Sequence, residues 1–195
     1  MSFLKFTEFC QYFIFFIHYQ KQSKPLKILI IRFSSIGDII LTTPVIRCLK
    51  KQMPAHTQVH FLTKKNFAGI LNQNPYIDKL WLLDEDLNQI TKDLKKEGFD
   101  FVIDLHNNLR TRRIKWKLGV KSFTLNKINW KKFLMTRFKI NVLPSRHIVD
   151  REMDTVRHLG VFNDGLGLDY FYPESQTAIE AHFPELKSLR FVALA

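Results

Sequence analysis

From Lys27 onward, apolar runs alternate with helical patterns. Lys27 to Phe33 (KILIIRF) is an almost continuous apolar run, which predicts a strand buried on both faces of a parallel sheet. Further strands are predicted at Thr57–Thr63, Lys79–Leu83 and Phe99–Leu105, with a weaker strand signal at Ser122–Leu125. Between them the spacing predicts helices over Asp38–Gln52, Asn66–Asn72, Leu87–Lys96, residues 109–117 and His147–Leu159. Gly98 and Gly160 stop two of these. Pro44 must lie in the first turns of its helix or kink it. Strands and helices alternating at this spacing imply βαβ units with right-handed crossovers, an α/β fold with a mostly parallel sheet and helices on both faces.

After Gly160 the regularity lapses. FNDGLGLDYFYPESQ reads as a linker, followed by a short helix around Thr177–His182 and a new buried strand at Arg190–Ala195. The other end is also irregular. MSFLKFTEFCQYFIFFIHYQ is rich in aromatic residues, but its longest apolar stretch, Phe13 to Ile17, is far short of the roughly 20 residues that span a bilayer. Glu8 and the lack of a small-residue cleavage site argue against a secretory signal. Residues 1–25 read as an extension, an amphipathic piece that lies on a membrane or packs on the domain. A start codon assigned too far upstream would give the same sequence.

Composition adds little, and charge adds more. Apolar content of 46% and charged content of 25% are ordinary for a soluble globular chain. Cys10 and Cys48 are far apart and lack metal-ligand spacing, which argues for a reducing compartment and against a disulfide framework or a zinc site. The net charge is +12, and residues 105–151 carry all of it, with thirteen lysines and arginines against the single acid Asp150. Such a localised field attracts an anionic partner: nucleic acid, a phosphorylated glycolipid or an anionic membrane surface. Its bland counterpart is a solvated face.

Candidate chemistry sits where a parallel sheet binds ligands, at the carboxyl ends of its strands. Three loops gather there: Ser34–Asp38, Thr63–Asn66 and His106–Arg113. The first, within IIRFSSIGDIILTTP, contains neither a G-x-G-x-x-G fingerprint nor a P-loop. Gly37 provides a tight turn, and Asp38 falls at the helix start, where a capping carboxylate is worth roughly 0.5–2 kcal/mol. Asp38 is thus a cap, a general base, or both. The third loop, LHNNLRTRRIKWK, offers Arg110, Arg112 and Arg113, whose forked donors match phosphate and carboxylate oxygens. Lys64 is a weaker basic point on the same rim. His106 ends a strand, where a hydrogen-bonded structural role competes with a chemical one, and Asp104 orients a neighbour.

KILIIRFSSIGDIILTTPVIRCLKKQMP resembles the opening of glycosyltransferase family 9, the lipopolysaccharide heptosyltransferases, with Gly37, Asp38, Thr43 and Pro44 matching. The later order VHFLT, NPYIDKLWLLD and FDFVIDLHNNLRT matches as well, so that the resemblance covers residues 26–195. It implies the N-terminal half of a GT-B fold, truncated. Residues 26–162 would be a Rossmann-like acceptor-binding domain. Residues 163–195 would be a linker and the first strand of an otherwise missing nucleotide-sugar domain. It implies an inverting transferase without a bound metal or other cofactor, with Asp38 as general base and an ADP-heptose or related donor. The acceptor would be an anionic lipopolysaccharide core precursor, held by Ser34, Ser35, Gly37, Lys64, His106, Arg110, Arg112 and Arg113. The setting would be cytoplasmic, peripheral at the inner face of the cytoplasmic membrane, with no nucleic acid expected, and the chain alone would be inactive. The rival reading is a non-catalytic α/β module that binds nucleic acid or anionic membrane through residues 105–151.

Overall fold

The computed structural model describes residues 24–126 and 146–172. The N-terminal extension, five of the basic residues between 127 and 139, and the elements expected at Thr177–His182 and Arg190–Ala195 lie outside the described residues.

Five parallel strands form one sheet in the order β3-β2-β1-β4-β5. They are β1 (Lys27–Ile31), β2 (Gln58–Lys64), β3 (Lys79–Leu83), β4 (Phe101–Asp104) and β5 (Lys121–Thr124). In register, Ile30 pairs with Phe61 on one side and with Ile103 on the other. The central strand is buried almost throughout, as a strand covered on both faces must be. Alternate residues divide between two cores. Ile28, Ile30, Val59, Phe61 and Ile103 face α2 (Thr43–Gln52) and α5 (Ile148–Arg157), through Val45, Ile46, Leu49, Val149, Met153 and Val156. Leu29, Ile31, Leu62 and Val102 face α3 (Leu87–Glu97) and α4 (Leu109–Leu118), through Leu94 and Ile114. Helices therefore cover both faces, as the alternation predicted.

The expected helix over Asp38–Gln52 is two helices. The first, α1 (Ile36–Leu41), begins two residues before Asp38, and the break falls at Thr42. Pro44 sits in the first turn of α2. It has no N–H to give to Ile40, so the ladder cannot run through. The hydroxyls of Thr42 and Thr43 instead donate to the Ile39 and Ile40 carbonyls at 2.6 and 2.7 Å. The helix expected at Asn66–Asn72 is a six-residue 3-10 helix, Lys65–Ile70. The strand expected at Phe99–Leu105 is shorter, because Asp104 ends it by turning its carboxylate onto the next amides.

Residues 163–172 cross back over α2 and are tied to it. Arg47, 1% exposed, donates to both oxygens of Asp164 at 2.7 and 2.8 Å, to the Gly167 carbonyl at 3.0 Å and to Asp169. The Asp169 amide donates to Thr43 Oγ1 at 2.9 Å.

Candidate functional site

The strand order reverses direction at β1, between β2 and β4. That switch point, at the carboxyl ends of the strands, is where such sheets open a ligand crevice. The loop after β1 carries Ser34 and Ser35 and leads into α1 with Asp38 in its first turn, and the loop after β4 carries His106 and Asn107.

Asp38 is the third residue of α1, whose cap is Ser35. Its carboxylate reaches back to the cap: Oδ2 accepts from the Ser35 amide at 3.3 Å and from Ser35 Oγ at 3.2 Å. The capping role foreseen for Asp38 is thus real but reciprocal, with the serine at the cap and the acid at the third helical position. The same Oδ2 pairs with Arg32 Nη2 at 2.5 Å. All three contacts fall on one oxygen, and Oδ1 has no hydrogen-bond partner among the described residues. The side chain is 42% exposed. Burial pushes its carboxyl up, but the Arg32 hydrogen bond and charge and the Ser35 donors pull harder, and the net shift is downward. The group is therefore a carboxylate at neutral pH.

Arg32 was not foreseen, and it organises the site. Its Nε donates to the Ser34 carbonyl at 2.9 Å, its Nη1 donates to the Leu105 carbonyl, and its Nη2 holds Asp38. One guanidinium thereby joins the β1 loop, the end of β4 and the start of α1. Behind it lies a second unforeseen acid, Glu152 of α5, fully buried, with Oε1 3.8 Å from Arg32 Nη1. Both left a signal in the sequence. Arg32 interrupts an apolar strand, and Glu152 shares the helical spacing of Val149, Met153 and Val156, which puts it on the buried face.

The remaining predicted residues divide. Ser34 and Ser35 lie in the loop before Asp38, whereas Gly37, expected to make a tight turn, is the second residue of α1, and the ring of His106 packs edge-on against Phe33 at 5.1 Å, on the same rim. Asp104 is structural. Its Oδ1 accepts from the His106 and Asn107 amides at 3.1 and 2.7 Å, and its Oδ2 pairs with Lys115 at 2.7 Å. Lys64 and Arg110 meet in a cleft of about 540 Å³ with Lys65, Asp84 and Glu85. Arg112 is exposed on α4. Arg113 turns away to Asn88 of α3 at 3.1 Å, where Lys117 also donates. So α4 is not a uniformly solvated basic face, since Lys115 neutralises a buried acid and Arg113 and Lys117 are spent on a neighbouring helix.

No family model matches the chain. The lipopolysaccharide heptosyltransferase 1 of Campylobacter coli is 29% identical over 158 residues, which cover 76% of this chain and 44% of that protein. Among solved structures, the family 9 glycosyltransferase of Veillonella parvula superposes with a TM-score of 0.58 at 26% identity, over 74% of this chain and 44% of that one. The chain is similar to part of the heptosyltransferases of glycosyltransferase family 9. The fold agrees with that of the E. coli heptosyltransferase WaaC solved with ADP, at a TM-score of 0.57 and 19% identity over 82% of this chain and 53% of that one. The chain spans less than half the length of the curated relatives it matches. Among its described residues no helix is long and apolar enough to cross a membrane.

Proposed function

We propose that the chain is the acceptor-side part of an inverting glycosyltransferase that moves heptose from an ADP-heptose-type donor to an anionic lipopolysaccharide core acceptor. In this reading Asp38 is the general base. The acceptor hydroxyl attacks the anomeric carbon, its proton passes to Asp38 Oδ1, and the bond to the diphosphate breaks with its electron pair going to the leaving phosphate. No metal or other cofactor of the protein takes part in this scheme. The observation that carries the reading is the geometry of one carboxylate. Oδ2 is fixed by Arg32 and Ser35, while Oδ1, at the carboxyl edge of the sheet, has no hydrogen-bond partner among the described residues. A base needs that combination of fixed orientation, ionisation at neutral pH and one accessible lone pair. A module that only binds anions needs none of it.

Around this base, Ser34, Ser35, Gly37 and His106 shape the acceptor end of the crevice, and Lys64, Arg110 and Arg112 receive its phosphate or carboxylate groups. Arg113, turned onto Asn88, is the least suited of the expected contacts. The basic surface holds the protein at the inner face of the cytoplasmic membrane. The nucleotide-sugar site belongs to a second domain, and the 195-residue chain alone does not turn over. The experiment is a transfer assay on a chain extended to the relatives' full length, with ADP-heptose and a phosphorylated core acceptor. ADP release that requires both substrates supports the reading. A folded, extended protein that binds neither substrate and instead shifts nucleic acid with a steep salt dependence overturns it in favour of the binding module.

A further inference from the structure

A carboxyl group buried without a hydrogen bond costs several kcal/mol in an apolar interior, so its presence calls for a reason. Glu152 is such a group. Its side chain is fully buried, and neither oxygen has a hydrogen-bond partner among the described residues. Among the described residues the nearest cation is Arg32, at a distance of 3.8 Å that is too long for a hydrogen bond. Three of the five N–H donors of Arg32 already go to Ser34, Leu105 and Asp38. One guanidinium therefore stands between two carboxyl groups, an exposed one in contact and a buried one held off. A helix that needed only to pack would carry an apolar side chain at this position, like Val149 and Met153 beside it.

We propose that Glu152 is a positioning residue that competes with Asp38 for Arg32, so that the protonation of one carboxyl is coupled to that of the other. Among the described residues, the charged groups that act on Glu152 are Arg32 at the end of β1, Asp38 on α1 and Arg151 on its own helix. Burial pushes the Glu152 carboxyl up, the negative charge of Asp38 adds to the rise, and Arg32 and Arg151 draw it down only in part, so that it stands at about 8. At neutral pH Arg32 thus serves Asp38 alone, and Glu152 is neutral. If Asp38 loses its charge, the guanidinium is left with one buried acid to balance it, and Glu152 ionises at lower pH. In the alkaline range Glu152 ionises even with Asp38 charged, and the hold on Asp38 loosens. No proton passes between the two acids, since each exchanges with solvent. The consequence for base catalysis rests on the function proposed above, whereas the coupling does not.

The test is a pH titration of the 195-residue chain with carboxyl-labelled aspartate and glutamate, followed by NMR. In the parent protein one glutamate should titrate near pH 8, and Asp38 should show a small second inflection there. In Asp38→Asn that glutamate should titrate at least about one pH unit lower, the threshold at which two sites count as coupled. In Glu152→Gln the second inflection of Asp38 should vanish. The two variants read the coupling from opposite ends, and Asp38 lies on the exposed rim, so a failure of Glu152→Gln to fold still leaves a decisive arm. A Glu152 titration that is identical in the parent and in Asp38→Asn overturns the proposal, as does a Glu152 that titrates in the ordinary glutamate range. The titration uses no substrate, so its failure leaves the transferase reading standing, and an inactive extended protein leaves the coupling standing.

Discussion

Arg47→Met should release the crossing segment 163–172 from α2. The arginine is 1% exposed, and its guanidinium is the shared partner of Asp164, Asp169 and the Gly167 carbonyl. Methionine keeps most of the apolar stem and removes the charge. Removing one partner of a buried pair costs about 3–5 kcal/mol, but here each carboxylate side chain keeps a fifth of its exposure and water replaces part of what is lost. The expected destabilisation is therefore about 2–3 kcal/mol. Its pH dependence follows from Asp164, whose carboxyl is held well below the usual range, chiefly by the Arg47 hydrogen bond. A depressed acid contributes stability that is complete above its unfolded value of about 3.9 and is lost as pH falls through the lower folded value. Urea unfolding of parent and variant should thus differ at pH 7 and converge in strong acid, and limited proteolysis should cut the variant first within 163–172. Equal midpoints at pH 7 would refute the reasoning. A difference that persists unchanged in strong acid would show that packing, not charge, is what Arg47 provides.

Two further outcomes are expected. Asp104→Asn should lower the melting temperature, with a cost of about 2–4 kcal/mol, because Lys115, 14% exposed, loses its counter-ion at the turn that carries His106; a loss too small to detect would remove Asp104 from the structural role assigned to it. Replacing Arg110, Arg112 and Arg113 together with glutamate should weaken sedimentation with anionic vesicles, and added salt should mimic the change in the parent; equal binding by parent and variant would leave the basic helix without a membrane role.

Much of the fold could be read along the chain because its signals are local. Continuous apolar runs marked β1 and β2 as doubly covered strands, and Gly98, which ends α3 in a left-handed conformation with φ 72°, was visible as a stop. Pro44 announced a disturbance, though not that α1 would close on its own cap at Ser35. The site was legible only where one loop contained it. Asp38 stood out at the helix start, with Ser35 beside it, but Arg32, which holds it in place, did not. Arg32 reaches Leu105 across 73 residues, and Arg47 reaches Asp169 across 122. No periodicity encodes such partners, since they follow from which strands pair and which helix lies over them. The same reason hides the partners of several basic residues. Lys115, Arg113 and Lys117 look free in sequence, and their partners Asp104 and Asn88 come from other elements.

The central claim is that Asp38 is a base and not merely half of a capping box. The most direct measurement is turnover of Asp38→Asn in a chain extended to carry both domains, with acceptor affinity measured alongside. Asparagine still offers an oxygen to the Ser35 amide, so the helix start survives, but it cannot take a proton. The account predicts a folded protein with nearly parental acceptor affinity and turnover reduced by about 10²–10⁴-fold, the usual cost of losing a general base. Near-parental turnover in Asp38→Asn would contradict it, leaving Asp38 as a structural acid and sending the search for the base along the rim to His106.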